Sequence, residues 1–359
     1  MKNIPLEYNF KEEVLDFIIS KIQLGIIPKQ EDIVQDFSYT KHSLLNEDKK
    51  NEIHFILKRL TNIEYLFFLI DIKGIEEAKF LGAKNLLLKT SELNYQRESK
   101  LSEKEFYIIC HSILHLYKQE LNSKNPFNSF SIQINSTPVR CTIFYPTVKV
   151  KSTPYLVLRF FKKNTPKLSS FCKNNDQIEL IKNIILEKKN FLISGGTGAG
   201  KTSFLQSILK ETNARNDQLC LIEDLKELPH INDQTIHLAS SEIYQPLEEL
   251  INWTLRITPE RIILGEVRSK EVVSFLNILN TGHPGTITTI HSNSALEAIE
   301  RMAFLVSLYG DRLKVDMVNL KKYISGLVHY VIHIQDKNIY EIIKIKGTAN
   351  NGALYYDYI

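Results

Sequence analysis

The sequence Gly195-Gly196-Thr197-Gly198-Ala199-Gly200-Lys201-Thr202 follows directly after the apolar segment Asn190–Ser194. It matches the pattern Gly-x-x-x-x-Gly-Lys-[Ser/Thr], in which the glycines let a loop turn sharply with its amide hydrogens pointing inward. A polyphosphate then lies against these amides at the positive end of a helix. Lys201 would reach the β- and γ-phosphates, and the Thr202 hydroxyl would ligate Mg²⁺. We therefore expect a nucleoside triphosphate site made by Gly195, Gly196, Thr197, Gly198, Ala199, Gly200, Lys201, Thr202 and Ser203.

The chain around this loop alternates between strand-like and helix-like segments after Gln177. The predicted strands are Asn190–Ser194, Leu219–Ile222, Arg261–Leu264 and Thr286–Ile290, and the predicted helices between and after them are Lys201–Lys210, Leu247–Arg256, Lys270–Leu279 and Ala295–Leu308. Such alternation predicts an α/β fold with a mostly parallel sheet and helices on both faces. In these sheets ligands bind beyond the carboxyl ends of the strands. The strand before the glycine-rich loop and the helix after it argue against an accidental glycine turn.

Acidic residues stand at the carboxyl ends of two predicted strands. The strand Arg261–Leu264 continues into Gly265-Glu266, and the strand ending at Ile222 continues into Glu223-Asp224. An acidic residue after one strand is most often a solvated loop charge or a helix cap. Two such endings in one array with a phosphate loop favour a catalytic edge, where Glu266 polarises the attacking water. Glu223 is the alternative carboxylate for this role.

A histidine, His291, ends the strand Thr286–Ile290 at the same predicted edge, and His283 precedes that strand. A lone histidine is usually structural or solvent-facing. Because His291 reaches the edge that holds Lys201 and Glu266, we expect it to sense the γ-phosphate. A His/Glu metal site has little support, since no His pair at i, i+4 and no Cys ligand accompanies it.

The whole chain divides into four predicted regions, and the three before residue 177 show no catalytic or binding motif. We predict a helical region over 1–80, a mixed α/β domain over 81–163, a polar linker over 164–176 and the ATPase domain over 177–359. Within the mixed domain we expect a helix over Glu103–Leu121 and strands over Asn85–Lys89, Leu93–Arg97, Ser129–Ile134, Val139–Phe144 and Tyr155–Phe161.

The net charge of +4 is too small to indicate a nucleic-acid binder, and the four scattered cysteines form no disulfide or zinc pattern. No apolar run is long enough for a signal peptide or a membrane span, which predicts a cytoplasmic protein.

Together these landmarks resemble the traffic ATPases of type II and type IV secretion and of pilus assembly. The landmarks are the loop Gly195–Ser203, the acidic box Ile222–Leu228, the strand and tip Arg261–Arg268, and the histidine box Thr281–Ser294. The histidine box, TGHPG…TTIHSNS, resembles the branch of conjugation-type ATPases and CpaF-like tight-adherence (Tad/Flp) pilus ATPases. The resemblance is strong over 177–345, weaker over 81–163, and absent in the first eighty residues.

This resemblance implies a RecA-like ATPase domain in a homo-hexameric ring that uses ATP and Mg²⁺. The ring would lie in the cytoplasm against the inner membrane, with an inner-membrane platform protein as partner and no stable binding of nucleic acid. By resemblance, Glu223, Asp224 and Glu266 handle Mg²⁺ and water, and His291 contacts the γ-phosphate. Arginines of the N-terminal domain close over the nucleotide, and Arg140 and Arg159 match them best.

Several positions differ from the family pattern, and two other functions stay open. Thr258 replaces an arginine before Pro259, Ser269 replaces a glycine, and the late strand Val331–Ile334 lacks an arginine. A nucleic-acid translocase would need a basic or aromatic pore, for which no Arg/Lys run exists. An ATP-gated scaffold with very slow hydrolysis is the other alternative. For Arg159, a salt bridge within its own domain and an edge strand facing water compete with phosphate binding.

Overall fold

The computed structural model describes residues 6–29, 32–42, 44–122, 124–145, 153–161, 165–240, 245–310 and 315–359. The chain divides into two compact units, Met1–Lys162 and Lys163–Ile359, and each has a sheet and a core of its own. Among the described residues, no helix has both the length and the apolar character needed to cross a bilayer.

The first unit begins with helices, as the sequence predicts. They are α1 (Leu6–Gln23), α2 (Ile33–Lys41) and α3 (Glu47–Thr61), followed by a 3₁₀ turn over Glu64–Leu69. Asn46 caps α3, because its side chain accepts a hydrogen bond from the amide of Lys49.

A six-stranded antiparallel sheet completes the first unit. Its strands are β1 (Ile75–Leu81), β2 (Asn85–Thr90), β3 (Asn94–Glu98), β4 (Phe127–Ile134), β5 (Thr137–Phe144) and β6 (Tyr155–Phe160), in the order β3-β2-β1-β6-β5-β4. The helices share one hydrophobic core with one face of this sheet. The prediction of a helical region up to residue 80 is therefore wrong from Ile75 onward. Ala78 and Phe80 are buried while Glu77 and Lys79 are not, which is the two-residue period of a strand.

The helix of the mixed region, α4 (Glu103–Leu116), begins as predicted but ends five residues before Leu121. Ser102 and Glu105 form a capping box at its start. At its end Lys118 adopts a left-handed conformation with φ of 52°, and its amide donates to His115. The amide of Gln119 donates to Leu114, which completes a Schellman motif. Glycine is usual at this left-handed position, and because Lys118 occupies it here, the end of the helix could not be predicted from the sequence.

The second unit is an α/β domain, as predicted. Its helices are α5 (Asn175–Leu186), α6 (Lys201–Glu211), α7 (Leu247–Ile257), α8 (Glu271–Leu279), α9 (Ala295–Tyr309) and α10 (Met317–Leu327). Its strands are β7 (Phe191–Ser194), β8 (Leu219–Glu223), β9 (Ile236–Ala239), β10 (Arg261–Val267), β11 (Ile287–Ile290), β12 (Tyr330–Gln335), β13 (Asn338–Thr348) and β14 (Leu354–Tyr358).

The eight strands have the order β14-β13-β12-β7-β11-β10-β8-β9. The six strands from β12 to β9 pair in parallel, whereas β13 and β14 add an antiparallel hairpin that the sequence analysis did not predict. Buried residues of α5 and α6 form one core, and those of α7 to α10 form another. The sheet is therefore covered on both faces.

Part of the predicted linker over 164–176 is packed into this second unit. Leu168 and Phe171 are buried in the core beside α5 and α6, and a 3₁₀ turn spans Leu168–Ser170. Because most residues of this stretch are polar, the burial of Leu168 and Phe171 was not predicted.

A buried arginine fixes the beginning of β10. Arg261 is 1% exposed, and its guanidinium pairs with Asp217 at 2.7 Å. It also donates to the carbonyl oxygens of Gly285 and Ile185 at 3.1 and 3.0 Å. A buried charge is tolerated when it is paired and hydrogen-bonded in this way. These contacts fix the N-terminal end of β10, and Glu266 lies near the other end of the same strand.

The first unit contains a partly buried histidine on α4, His111, which predicts a pH-dependent stability. Burial lowers the pKa of His111 to about 4, and its Nε2 lies 3.2 Å from the Tyr145 hydroxyl. The unfolded chain takes up this proton near pH 6.5, so the full stability is present above pH 6.5 and declines as the pH falls toward 4. The loss contributed by this group reaches at most about 3 kcal/mol.

We expect His111→Gln to reduce this acid-dependent loss, since glutamine keeps a donor near Tyr145 without titrating. Urea denaturation at pH 7 and pH 5 measures the effect. The control is His115→Gln, at an exposed position of the same helix. Equal acid sensitivity of both variants would contradict the assignment.

Candidate functional site

The glycine-rich loop leaves β7 and enters α6 in the geometry that its sequence predicts. Gly195 has φ of 152°, and a methyl group there would overlap the carbonyl oxygen of Ile334 on β12. Gly198 and Gly200 also have positive φ, of 77° and 104°. Only glycine adopts such conformations without strain, so these residues turn the chain directly onto the first turn of α6.

The Lys201 ammonium, on the first residue of α6, lies inside this loop. It donates to the carbonyl oxygens of Gly195 and Gly196 at 2.9 and 3.0 Å, and it lies 3.1 Å from Nδ1 of His291. Lys201 is 7% exposed. A buried ammonium held by neutral acceptors can exchange them for charged phosphate oxygens, which form stronger hydrogen bonds.

His291 joins Lys201 to Glu266 because β11 lies between β7 and β10 in the sheet. Its Nε2 lies 2.8 Å from Oε1 of Glu266, and Oε2 of Glu266 accepts from Arg268 at 2.6 Å. The parallel register thus brings together Lys201, His291 and Glu266, the three residues that the sequence analysis placed at this edge.

His291 is held as a neutral imidazole. Burial lowers its pKa, and the positive charge of Lys201 lowers it further. Since an ammonium only donates, Nδ1 must accept from Lys201, and the ring proton therefore belongs to Nε2, which faces Glu266. The histidine can thus transmit the position of Lys201 to the carboxylate.

One oxygen of Glu266 has no aligned hydrogen bond from a described residue. Oε1 is buried and, although it lies close to His291, accepts no well-aligned hydrogen bond from any described residue. A buried carboxylate oxygen in this state is suited to accept a proton or a hydrogen bond from water. The arrangement fits the predicted role of Glu266 as the base.

Two residues just after Glu266, Arg268 and Glu271, contact its surroundings and were not assigned to the site from the sequence. The hydrogen bond to Glu266 raises the pKa of Arg268. Glu271 is 4% exposed and accepts hydrogen bonds from the amides of Arg268 and Ser269 and from the Ser269 hydroxyl. The sequence signal that could have pointed to both residues is the spacing Glu266-x-Arg268-x-x-Glu271 at the end of a buried strand.

Glu223 and Asp224 have different environments at the end of β8. Glu223 is buried, and its oxygens accept from the amides of Glu227 and Leu228 while His237 lies 2.6 Å away. Asp224 is exposed, and its charge acts on Arg268. Asp224 therefore fits the predicted contact with Mg²⁺ better than Glu223 does.

The described residues contain no group of three or more His, Cys, Asp or Glu side chains that could hold a metal ion by themselves. A Mg²⁺ that arrives with a nucleotide does not need such a group, because it keeps several waters and uses phosphate oxygens. Thr202 is the second residue of α6, and its contact with Mg²⁺ stays a prediction from the loop pattern.

The other histidines occupy different positions. His283 precedes β11 at the end of the sheet opposite His291, beside the turn that holds Arg261. His333, on β12, lies 2.9 Å from the hydroxyl of Ser194, directly before the phosphate loop. Burial lowers the pKa of His333. It occupies the late strand in which the family pattern has an arginine, and it was not identified from the sequence.

Arg140 and Arg159, the two arginines predicted to close over the nucleotide, lie directly opposite each other on neighbouring strands. Arg159 on β6 pairs in register with Arg140 on β5 and with Glu77 on β1. Arg159 is exposed because Leu156, Leu158 and Phe160 take the buried positions of this strand. The strand is interior to the sheet, so the predicted edge-strand alternative for Arg159 is wrong.

The comparison with protein families decides the relationship of the chain. The family described as type II/IV secretion system protein matches residues 125–332. The chain belongs to this family.

Relatives within the type II/IV secretion family include proteins of conjugation. The conjugal transfer protein TrbB of Rhizobium radiobacter is 30% identical over 253 residues, which is 68% of this chain and 75% of TrbB. The type IV secretion system protein VirB11 of Bartonella quintana is 31% identical over 197 residues, or 53% of this chain and 52% of that protein.

Two solved structures share the fold of this family member. The ATPase DotB of Legionella pneumophila has a TM-score of 0.58 at 16% identity, covering 85% of this chain and 79% of DotB. The pilus retraction motor PilT, solved with ADP, has a TM-score of 0.55 at 16% identity, covering 82% and 81%. The predicted α/β, RecA-like fold with a preceding smaller domain is therefore confirmed.

The close approach of Gly195 to the carbonyl oxygen of Ile334 predicts that an added methyl group weakens nucleotide binding. We expect Gly195→Ala to weaken nucleotide binding by about tenfold or more, because the loop must move away from β12 and its amides lose their inward direction. Titration with a fluorescent ATP analogue measures this. Gly196→Ala is the control, since a methyl group there meets no atom within 4 Å. Equal affinity of both variants would contradict this prediction.

Proposed function

We propose that this chain is the subunit of an ATP-hydrolysing motor that powers secretion or pilus assembly. The observation that carries the proposal is the continuous contact from Lys201 through His291 to Glu266 beside a complete phosphate loop. Family membership supports the coupling to secretion, and the names of TrbB and VirB11 favour a conjugative or type IV system. The finer assignment to a CpaF-like pilus ATPase stays a prediction.

In the proposed mechanism, the amides of Gly195–Thr202 bind the nucleotide phosphates at the start of α6. Lys201 exchanges the loop carbonyls for the β- and γ-phosphate oxygens, which frees Nδ1 of His291. A Mg²⁺ ion would neutralise charge on these oxygens, held by Thr202 and near Asp224. Oε1 of Glu266 orients the attacking water and accepts its proton, while Arg268 holds the other oxygen.

We further propose that Arg140 and Arg159 close over the nucleotide. The two side chains lie on the same face of neighbouring strands, so one polyphosphate could accept hydrogen bonds from both. The guanidinium geometry suits bidentate contacts to phosphate oxygens.

We also propose a homo-hexamer at the cytoplasmic face of the inner membrane, with a platform protein of the secretion or pilus system as partner. A phosphate loop at a sheet edge leaves the γ-phosphate open on one side, where a neighbouring subunit can contribute through a heterologous contact. Stable binding of nucleic acid is not part of this proposal, since the net charge is only +4.

Two variants test the hydrolytic site. We expect Lys201→Ala to lose tight Mg-ATP binding, since the β- and γ-phosphate charge is then uncompensated. Glu266→Gln should bind ATP with nearly the parent affinity but hydrolyse it about 100-fold more slowly, because an amide accepts no proton. Nucleotide titration and phosphate release measure both effects, and light scattering with Mg-ATP gives the mass of the assembly.

The control for these variants is Glu300→Gln, at an exposed position of α9. Parent-rate hydrolysis by Glu266→Gln would refute the assignment of the base. Unaltered ATP affinity in Lys201→Ala would refute the phosphate site itself. Stimulation of turnover by single-stranded DNA and not by anionic lipid would favour the nucleic-acid translocase.

A separate variant tests the proposed closure of the first unit. We expect Arg159→Ala to slow turnover at least tenfold while changing ATP affinity less, since the guanidinium stabilises charge that develops in the reaction. The melting temperature of the nucleotide-free variant should be nearly that of the parent protein, because Arg159 is exposed. Lys89→Ala, exposed on the same sheet, is the control. A large loss of stability with normal turnover would show that Arg159 is only a structural partner.

A further inference from the structure

A buried acid–histidine pair lies beside the proposed ATPase site. Glu223 at the end of β8 and His237 on β9 have side chains that are 5% and 8% exposed, and Nε2 of His237 lies 2.6 Å from Oε1 of Glu223. The parallel register explains the contact. His237 pairs with Leu221, so Glu223 is the next residue along β8 on the same face of the sheet.

The same carboxylate holds the loop that follows β8. The amides of Glu227 and Leu228 donate to both oxygens of Glu223 at 3.2 and 3.0 Å. On its other side this loop accepts a hydrogen bond at its Glu227 carbonyl from Gln206 of α6, at 3.1 Å. Residues 224–228 are thus fastened between β8 and the helix that begins at Lys201. Glu223, His237 and these two amides are called the Glu223 clamp below.

Glu223 also lies close to the backbone that leads to Glu266. A methyl group at Gly265 would lie 3.1 Å from Cγ of Glu223 and 3.6 Å from its Oε2. The carbonyl oxygen of Gly265 accepts from the Thr289 hydroxyl of β11 at 2.8 Å. The peptide before the proposed base is therefore held between Glu223 on one side and β11 on the other.

We propose that His237 is a positioning residue of the ATPase site, and that it orients Glu223 so that the Glu223 clamp holds both Asp224 and the Gly265–Glu266 peptide. In this proposal Glu223 is neither a metal ligand nor the base. The proposal rests on the proposed ATPase function and assigns these two residues a part in it.

The contacts of Glu223 support this assignment. A carboxylate has about four lone-pair positions. Those of Glu223 face two amides, each shared between both oxygens, and one imidazole. Glu266, by contrast, keeps Oε1 without an aligned hydrogen bond from a described residue. Two carboxylates at one sheet edge thus have separate tasks, since one is fully engaged in holding the backbone and the other can accept a proton.

The test compares two substitutions of His237 that differ in reach. The amide nitrogen of glutamine can take the place of Nε2 and donate to Glu223, whereas that of asparagine is one methylene shorter and cannot. We expect His237→Gln to keep kcat within about threefold of the parent value. His237→Asn should lower kcat about tenfold or more with Kd for ATP changed less than twofold, because small displacements of a catalytic group are costly.

Glu223→Gln separates the clamp from a metal site. Loss of a metal ligand should raise the Mg²⁺ concentration at half-maximal turnover tenfold or more. We expect instead that kcat falls while this concentration changes less than twofold. His230→Asn, an exposed histidine on the following loop, is the control for substitution of a histidine.

The outcomes are distinct. Equal kcat for folded His237→Asn and His237→Gln would overturn the proposal, as would a tenfold rise in the Mg²⁺ requirement of Glu223→Gln. If His237→Asn does not fold, the Mg²⁺ concentration at half-maximal turnover of Glu223→Gln alone decides whether Glu223 belongs to the clamp or to a metal site. Failure of the parent protein itself to bind ATP, with Lys201→Ala behaving identically, would refute the proposed function and not the clamp.

Discussion

The parallel pairing of β11 between β7 and β10 is the constraint on which the site depends. It aligns Thr288 with Leu192 and with Leu264, so the three strands end at nearly the same height. The phosphate loop follows β7, His291 follows β11, and Glu266 is the last residue but one of β10. Backbone hydrogen bonds of a buried sheet are far less deformable than loops, and they therefore hold these three groups at contact distance before any ligand is present.

Charge is balanced residue by residue around this edge. The Lys201 ammonium faces two carbonyls and a neutral histidine, and Glu266 faces that histidine and the Arg268 guanidinium. Glu271 fixes the backbone that presents Arg268, and His237 fixes Glu223. In a site of low exposure each charge needs such a partner, because an unpaired buried charge would be strongly destabilising. In the proposed mechanism a nucleotide would displace the partners of Lys201, while Arg268 stays on Glu266.

The sequence predicted the elements whose signals are local. The phosphate loop, the acidic strand tips and the start of the helix at Glu103 all follow from residue types and apolar spacing along the chain. The helix end at Lys118 was missed because the left-handed residue of its Schellman motif is not glycine. Strand β1 was missed because Glu76 and Glu77, in succession, obscured its alternation.

By itself, the sequence determined the phosphate loop, the α/β alternation and the three residues Lys201, His291 and Glu266, since each stands at a fixed offset from an apolar strand. Only the tertiary structure decided which carboxylate is free and which is engaged. Glu223 and Glu266 look alike in sequence, as acidic residues after buried strands. They differ because β9 brings His237 and the following loop brings two amides against Glu223, whereas Oε1 of Glu266 has no aligned hydrogen bond from a described residue. Hydrogen bonds from neighbouring strands depend on sheet order and register, and no local spacing encodes them.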